Sequence, residues 1–129
     1  MERALEMFAA LSDKTRLRAY RLLIRAGSDV AVCELIDALR ESQYNVSKHL
    51  QVLKNAGLVK EAKKGRWSLY SAVEGADSGI AQAVLKMREE VFEEDYGFLK
   101  KRLALRRNGE IVSCKLAGEL MESLKGEKK

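Results

Sequence analysis

The sequence predicts a mainly α-helical fold in which a helix-turn-helix is followed by a small β-hairpin, an arrangement known as a winged helix-turn-helix. Within residues 46–53, apolar side chains recur at spacing i, i+4, i+7, which is typical of one buried helix face. Two strand-like runs at about 58–62 and 66–73 flank a basic segment ending in Gly65, and glycine there favours a hairpin turn. Helical patterns fill most of the remaining chain, which contains no proline.

Three helices are predicted before the helix that directly precedes the hairpin. The first covers about residues 2–11. The second begins after Ser12 or Asp13 and ends at Gly27, because small polar residues favour helix N-caps and glycine favours the C-cap. The third covers about residues 33–40, and a short turn joins it to the fourth.

The helices that follow are predicted to serve two different purposes. The fourth, at about 43–56, ends on Gly57 and leads into the hairpin. A long fifth helix at about 77–107 carries two apolar stripes, of which one can cover its own domain. The second stripe would be exposed on a monomer, so we expect a homodimer; the alternative is one broad face buried within a single chain. The expected dimer seam consists of Val84, Met87, Val91 and Phe98.

Length and composition indicate one globular domain with a modest core. The chain has 129 residues, of which 47% are hydrophobic. We expect residues 1–109 to form the winged domain, with the recognition helix and wing at 42–73, and residues 110–129 to form a tail. No apolar run approaches the roughly 20 residues that span a bilayer, and the N-terminus lacks the apolar core of a signal peptide. A cytoplasmic protein without a membrane partner is therefore expected.

The charge distribution predicts a nucleic-acid partner. The net charge is +5, and residues 42–72 carry six basic residues and one acidic residue. The polar face of the fourth helix suits base edges in the major groove of double-stranded DNA, and the basic wing suits phosphates. A protein-binding module is the alternative; an enzyme is disfavoured, since there is no Cys-x-x-Cys, glycine-rich phosphate loop or second histidine. The expected DNA contacts are Ser42, Gln43, Tyr44, Asn45, Ser47 and Lys48 on the helix, and Lys63, Lys64 and Arg66 on the wing.

Ordered motifs across about residues 3–73 resemble the ArsR/SmtB family of bacterial and archaeal winged-helix repressors. The resemblance implies a homodimer that represses a promoter and leaves operator DNA when an inducer binds, with the first and last helices at the dimer interface. One departure is Tyr44, where many relatives have proline. The motifs are Leu11-Ser12-Asp13-Lys14-Thr15-Arg16-Leu17-Arg18, Val32-Cys33-Glu34-Leu35, Ser42-Gln43 through His49-Leu50, Leu53, Ala56-Gly57-Leu58-Val59 and Gly65-Arg66-Trp67-Ser68-Leu69-Tyr70.

The residues of this chain argue against one inducer type of the family, the transition metals bound on the last helix. Many relatives bind zinc, cobalt or nickel there through histidine and carboxylate ligands. The single histidine of this chain, His49, lies instead in the recognition helix, where we expect a structural role. The acidic run at 89–95 is expected to be a solvated face, since transition-metal sites built from carboxylates alone are unusual.

The two cysteines, Cys33 and Cys114, are the candidate inducer ligands. The resemblance aligns Cys33 with the second cysteine of the arsenite and cadmium sensors, with Ala31 in place of the first. Cys114 matches the second cysteine of a Cys-x-x-Cys that some relatives carry after the last helix. Two thiolates, in one chain or across a dimer, suit a monomethylated arsenite, a mercuric ion, or a sensor that forms a reversible disulfide or polysulfide.

Two further expectations concern these cysteines. A position near a helix N-terminus should lower the pKa of Cys33 and raise its reactivity. The alternative is that both cysteines are structural, because free cysteine is among the most buried residue types, and that the repressor has no thiol-based inducer. No cofactor is required in either case, and if the thiols are the sensor, an arsenic(III) species or another thiophilic ion is the candidate inducer.

Overall fold

The computed structural model describes residues 1–75 and 78–127, and within those ranges it contains seven helices and three strands. The winged helix-turn-helix predicted from the sequence is confirmed, since α3 and α4 are followed directly by a β2–β3 hairpin. The elements are α1 (Glu2–Ala10), α2 (Lys14–Ala26), β1 (Val30–Ala31), α3 (Val32–Leu39), α4 (Gln43–Asn55), β2 (Val59–Lys64), β3 (Trp67–Ala72), α5 (Ser78–Lys86), α6 (Glu90–Leu103) and α7 (Cys114–Glu127).

Capping groups fix the ends of the two central helices where the sequence predicts them. The side chain of Asp13 accepts a hydrogen bond from the Arg16 backbone N–H at 3.0 Å and starts α2. Gly27 ends that helix with a left-handed φ of +65°, a conformation that costs glycine little. The Ser42 hydroxyl accepts the Asn45 N–H at 3.2 Å and starts α4.

The three strands form one antiparallel sheet in the order β1-β3-β2. The β2–β3 register runs from Val59 opposite Ala72 to Lys64 opposite Trp67, and a two-residue turn connects the strands. Gly65 takes the first central position of that turn with a φ of +60°, as the primed hairpin turns require. The wing is therefore a regular hairpin whose tip is basic.

The hydrophobic core lies between α2, α3, α4 and the sheet. Leu23, Leu35, Leu50, Leu53 and Leu58 are completely excluded from solvent. The predicted seam of α4 is confirmed, because its three members are all buried in this core and fix the rotation of the helix. Its opposite face is thereby turned outwards.

The predicted long helix is wrong, because the chain forms two helices, α5 and α6, separated by residues 87–89. Its predicted first residue, Asp77, lies outside the described residues. Arg21 of α2 explains the break: its Nε donates to the Val84 carbonyl and its Nη2 to the Leu85 carbonyl, both at 3.3 Å. These carbonyls would otherwise bond within a continuing helix. The Arg21 guanidinium also lies 4.7 Å from the centre of the Phe92 ring, in the first turn of α6.

This break also corrects the predicted dimer seam. Val84 is only 3% exposed and packs in the core of its own chain, so it is not available to a partner. Val91 is half-buried, whereas Met87 and Phe98 are 44% and 42% exposed. The four residues do not form one stripe on a single helix, because the non-helical residues 87–89 separate α5 from α6.

A buried ion cluster joins α6 to the helix-turn-helix. Asp95, 1% exposed, accepts hydrogen bonds from Arg18 Nε at 3.0 Å and Nη2 at 2.8 Å, and from Arg40 Nη2 at 3.2 Å. The same Arg18 Nη2 donates to the Leu39 carbonyl at the end of α3. The hydrogen bond to Asp95 raises the pKa of Arg18. The expectation that the acidic run is a solvated face is therefore wrong at Asp95.

The segment predicted as a tail packs in part against the domain. Val112 and Ala117 are buried, and α7 contacts α3. The last two residues of the predicted tail, 128 and 129, lie outside the described residues. Within the described part of the chain, no helix has the length and apolar character needed to cross a membrane.

Replacing Asp95 by alanine should lower the free energy of unfolding by about 3–5 kcal/mol, because the buried guanidinium of Arg18 would lose its counter-charge. Glu94→Ala is the matched control, since it removes the same charge from the neighbouring, half-exposed position. The control should cost less than about 1 kcal/mol, as exposed ion pairs contribute little. Urea denaturation followed by circular dichroism measures both; equal losses would show that the cluster does not hold α6 in place.

Candidate DNA-binding surface and thiol pocket

The outer face of α4 presents polar side chains to solvent. Gln43, Ser47 and Lys48 are exposed, and Tyr44 is 75% exposed. Asn45 is half-buried, and the Ser42 hydroxyl already accepts the helix-capping hydrogen bond. Five of the six predicted helix contacts are thus exposed, although the Ser42 hydroxyl is engaged in the cap, and Asn45 is half-buried.

The single histidine attaches α4 to the start of α2. Its Nδ1 lies 3.2 Å from Arg16 Nη1, and its Nε2 lies 3.8 Å from Asp13 Oδ2. Arg16 in turn donates from Nε to the Ala10 carbonyl at 2.6 Å, which links α1 to the same junction. With only 12% of its side chain exposed, His49 has the structural position that the sequence predicts for it.

The wing carries its basic groups around the hairpin tip. Lys63, Lys64 and Arg66 are all exposed. Lys63 Nζ donates to the Ser68 hydroxyl at 2.6 Å, across the hairpin. The Arg66 guanidinium lies 4.5 Å from the centre of the Trp67 ring, a cation–π contact that orients it.

The two thiols, far apart in sequence, come together within one chain. Cys114 Sγ donates to the Cys33 carbonyl at 3.3 Å, and Cys33 Sγ donates to the Val112 carbonyl at 3.7 Å. Both residues are half-buried and reduced. Cys33 lies in the first turn of α3 and Cys114 begins α7, so the docking of α7 on α3 creates the pair.

Arg102 of α6 lies beside the thiols, and the sequence analysis missed it. Its Nη2 lies 3.7 Å from Cys33 Sγ and donates a short hydrogen bond to the Val112 carbonyl, while its Nε donates to Asp37 at 2.7 Å. Its Nη1 is buried and has no hydrogen-bond partner among the described residues. Helical spacing gives a signal for it, because Arg102 follows the buried Leu99 by three residues and so faces the domain.

A second arginine from the same region holds the start of α3. The carboxylate of Glu34 is completely buried and accepts hydrogen bonds from Arg106 Nη2 at 2.6 Å and Nε at 2.8 Å. It also accepts the backbone N–H of Ala31 at 3.0 Å. The helix that carries Cys33 is therefore clamped to the chain that follows α6.

The environment raises the thiol pKa values, contrary to the sequence-based expectation. Burial raises the pKa of Cys33 to about 11, and the nearby Cys114 adds to the effect; Arg102 opposes it only in part. Burial also raises the pKa of Cys114. Removal from water is the largest cause for both thiols, because it penalises the charged thiolate.

A cavity of about 290 Å³ connects the thiols to the DNA-facing residues. It lies between the start of α3, the start of α7, the outer face of α4 and the wing. Among the described residues, no group of three or more histidine, cysteine or acidic side chains could hold a metal ion. The cavity is lined by Val32, Cys33, Ile36, Gln43, Ser47, Arg66, Trp67, Ser68 and Cys114.

Comparison with known proteins gives a consistent result. Residues 13–61 match the family model described as "Bacterial regulatory protein, arsR family". An uncharacterised HTH-type transcriptional regulator of Methanocaldococcus jannaschii is 45% identical over 83 residues, which make up 64% of this chain and 92% of that protein. The arsenical resistance operon repressor of Escherichia coli is 39% identical over 66 residues, 51% of this chain and 56% of the repressor. The chain thus spans about half the length of that repressor.

A solved structure resembles the same region. HlyU from Vibrio cholerae superposes with a TM-score of 0.58 at 24% sequence identity, and the match covers 64% of this chain and 88% of HlyU. At this identity the likeness shows a common fold.

The raised pKa of Cys33 predicts an unusual pH profile for its alkylation by iodoacetamide. Only the thiolate reacts, so the rate in the folded protein should keep rising towards pH 11, the approximate pKa of Cys33. The alkylation rate of a thiol with the ordinary pKa of roughly 8.5 reaches its plateau at a lower pH. Peptide mass spectrometry separates the two cysteines, and the urea-unfolded chain is the control. A plateau at the same pH in both states would show that the folded environment does not suppress the thiolate.

Proposed function

Because this chain belongs to the arsR family of bacterial regulatory proteins, a family of transcriptional regulators and not of enzymes, we propose that it binds operator DNA as a homodimer and represses transcription. We also propose that it leaves the DNA when a thiophilic ion binds Cys33 and Cys114. The observation that carries the DNA-binding proposal is the exposed polar face of α4 beside a basic wing.

The recognition helix and wing can contact DNA together. Gln43 and Ser47 of α4 line the same cavity as Arg66 of the wing, so the two elements border one surface. A helix on such a surface enters the major groove and reads base edges, while wing cations contact phosphates or the minor groove. In a two-fold dimer the half-sites would be roughly 34 Å apart, or a multiple of that distance.

A protein-binding module is the runner-up interpretation. The charge of the wing favours DNA, since Lys63, Lys64 and Arg66 are all cationic and exposed. Glu61, the acidic residue of β2, is engaged by Lys54 at 3.1 Å, and that hydrogen bond lowers its pKa. The surface therefore has a positive potential that suits a polyanion.

Exposed apolar side chains support the proposed homodimer. Leu5 and Phe8 of α1 are each 61% exposed, whereas the side of that helix that packs on its own domain carries Met7 and Ala10. Met87 and Phe98 are also exposed, and half-buried Val91 lines a cleft of about 520 Å³ near the α1–α2 junction. Such exposure is typical of a surface that a partner covers. We therefore propose a seam built from α1, Met87 and α6, without Val84.

The proximity of the two thiols within one chain supports the proposed inducer site. A thiophilic ion replaces both thiol protons and removes the repulsion between two thiolates. An oxidant sensor is less favoured, because oxidation requires a thiolate and burial raises the pKa of Cys33. The Escherichia coli relative is an arsenical resistance operon repressor, which agrees with an arsenic(III) inducer. A repressor whose cysteines are only structural is the alternative, and it would be favoured if an arsenic(III) species still released a Cys33→Ser/Cys114→Ser variant from operator DNA.

Replacing Gln43 and Lys64 separately should reveal two different kinds of DNA contact. Gln43→Ala should weaken operator binding by about 1–3 kcal/mol and leave binding to random duplex unchanged, because a base contact is lost. Lys64→Ala should weaken both and lower the slope of log K against log salt by about one unit, because a phosphate contact is lost. Fluorescence anisotropy with a duplex from the region upstream of the chain's own coding sequence measures both. Unchanged operator binding by both variants would remove this face from the DNA interface.

The double variant Leu5→Glu/Phe8→Glu should be monomeric. Both positions are largely exposed in a single chain, so charges there should leave the fold intact while preventing apolar association. Sedimentation velocity measures the assembly state, and circular dichroism checks the fold. Ala83→Glu, on an exposed position of α5, is the control and should remain dimeric. A double variant that sediments as a dimer would place the seam elsewhere.

A further inference from the structure

A cavity of about 550 Å³ opens between the end of α2, the base of the wing and α5. Its volume lies within the range of small-molecule sites, which are roughly 300–1,000 Å³. It shares no lining residue with the cavity beside the thiols. The side chains that line it include Ile24, Lys60, Ser71, Glu74, Ala81 and Leu85.

The wall formed by α2 and α5 is apolar. Ile24 and Ala81 are half-buried, and Leu85 is 38% exposed. Arg21 of α2 fixes the position of Leu85, because its Nη2 donates a hydrogen bond to the Leu85 carbonyl at 3.3 Å. The two helices thus hold a preformed apolar surface that is accessible to a ligand.

The wall formed by the strands carries a hydroxyl group beside an ammonium group. Ser71 lies directly opposite Lys60 in the β2–β3 register, so the two side chains share one face of the sheet with their Cβ atoms about 5 Å apart. Ser71 is 9% exposed, and its buried Oγ has no hydrogen-bond partner among the described residues. Lys60 is exposed and, unlike Lys54 and Lys63, forms no ion pair within that part of the chain. Two neighbouring donors without partners suit a carboxylate.

The lining also offers a carboxylate. Glu74, two residues after β3, is exposed and has no ion-pair partner within residues 1–75 and 78–127. Asp29 is the other acidic residue of the lining, and Arg106 lies beside it and donates to its backbone carbonyl at 3.1 Å. The free carboxylate of Glu74 therefore suits an ammonium group.

We propose that this cavity binds a free α-amino acid with a large apolar side chain. The ligand's carboxylate accepts hydrogen bonds from Lys60 and Ser71. Its ammonium group pairs with Glu74, and its side chain lies against Ile24 and Leu85. A zwitterion satisfies groups of both charges, whereas a simple amine or a simple carboxylic acid leaves one of them without a partner. The site is a second ligand site, independent of the thiols and of the DNA-binding surface.

Nuclear magnetic resonance of the isotope-labelled full chain tests the site directly, with L-phenylalanine as the probe. Saturable shift changes should appear at the amides of residues 71–75 and 81–85, and not at Cys33 or Cys114. Phenethylamine lacks the carboxylate and hydrocinnamate lacks the ammonium group, so each should bind at least about tenfold more weakly. L-Alanine lacks the large apolar group and should also bind at least about tenfold more weakly.

Two outcomes of these titrations would overturn the proposal. Shift changes confined to other parts of the chain, or none at millimolar L-phenylalanine, would show that the cavity is not an amino-acid site. Equal affinity for L-phenylalanine, phenethylamine and hydrocinnamate would show that the cavity does not recognise a zwitterion.

Variants of the two charged residues assign the two ends of the ligand. Lys60→Gln should weaken binding of L-phenylalanine and hydrocinnamate and leave phenethylamine unchanged. Glu74→Gln should weaken binding of L-phenylalanine and phenethylamine and leave hydrocinnamate unchanged. Both positions are exposed, so the variants should fold, which circular dichroism checks.

Glu119→Gln is the matched control for Glu74→Gln. It removes the same charge at an exposed position of α7 that does not line the cavity, so it should bind L-phenylalanine like the parent. If the Lys60 and Glu74 variants also bind all three compounds like the parent, the charged groups do not contact the ligand and the proposal fails.

The cysteines separate this site from the proposed inducer site. A Cys33→Ser/Cys114→Ser variant should bind L-phenylalanine with the affinity of the parent, because neither cysteine lines this cavity. Lost binding by a folded double-serine variant would overturn the independence of the two sites. Intact L-phenylalanine binding by a chain that binds no operator DNA would leave this site in place while the proposed repressor function fails.

Discussion

The carboxylate of Asp95 lies where three parts of the fold meet, and its pairing with Arg18 and Arg40 determines how they are arranged. Arg18 belongs to α2, Arg40 follows the end of α3, and Asp95 is on α6. A carboxylate without contact to water is stable only when it is paired and hydrogen-bonded. The turn that leads into the recognition helix is therefore attached to α6, and any movement of α6 relative to α2 would leave a charge without a partner.

Two more arginines, from α6 and the segment after it, bind α3 near the thiols. Arg102 reaches Asp37 and the Cys33 sulfur, and Arg106 reaches the buried Glu34. The helix that carries Cys33 is thus held along its length by groups from α6 and the segment after it. A ligand at the thiols would act on a rigid element that ends at the turn before α4, which is the geometry needed to couple a small site to a reading helix.

The thiol pair illustrates how tertiary packing can reverse a local rule. A helix N-terminus by itself lowers a thiol pKa, yet burial beside a second thiol raises that of Cys33 to about 11. Both thiols are consequently protonated at neutral pH. A soft ion of the proposed kind would have to replace both protons, and its two bonds to sulfur would offset that penalty.

The local sequence was sufficient for features that depend on neighbouring residues: the caps at Asp13 and Ser42, the turn at Gly65, the buried seam of α4 and its exposed polar face. The sequence did not predict the interruption at residues 87–89, because its cause is Arg21, far away on α2, which binds the carbonyls at the end of α5. Packing likewise buried Val84 and Asp95, brought two distant cysteines together, and set their protonation. Periodicity indicates which side of a helix is apolar, whereas the tertiary structure determines which residues cover that side. The tertiary structure also determines the protonation state of a buried group, because its burial and its charged neighbours set its pKa.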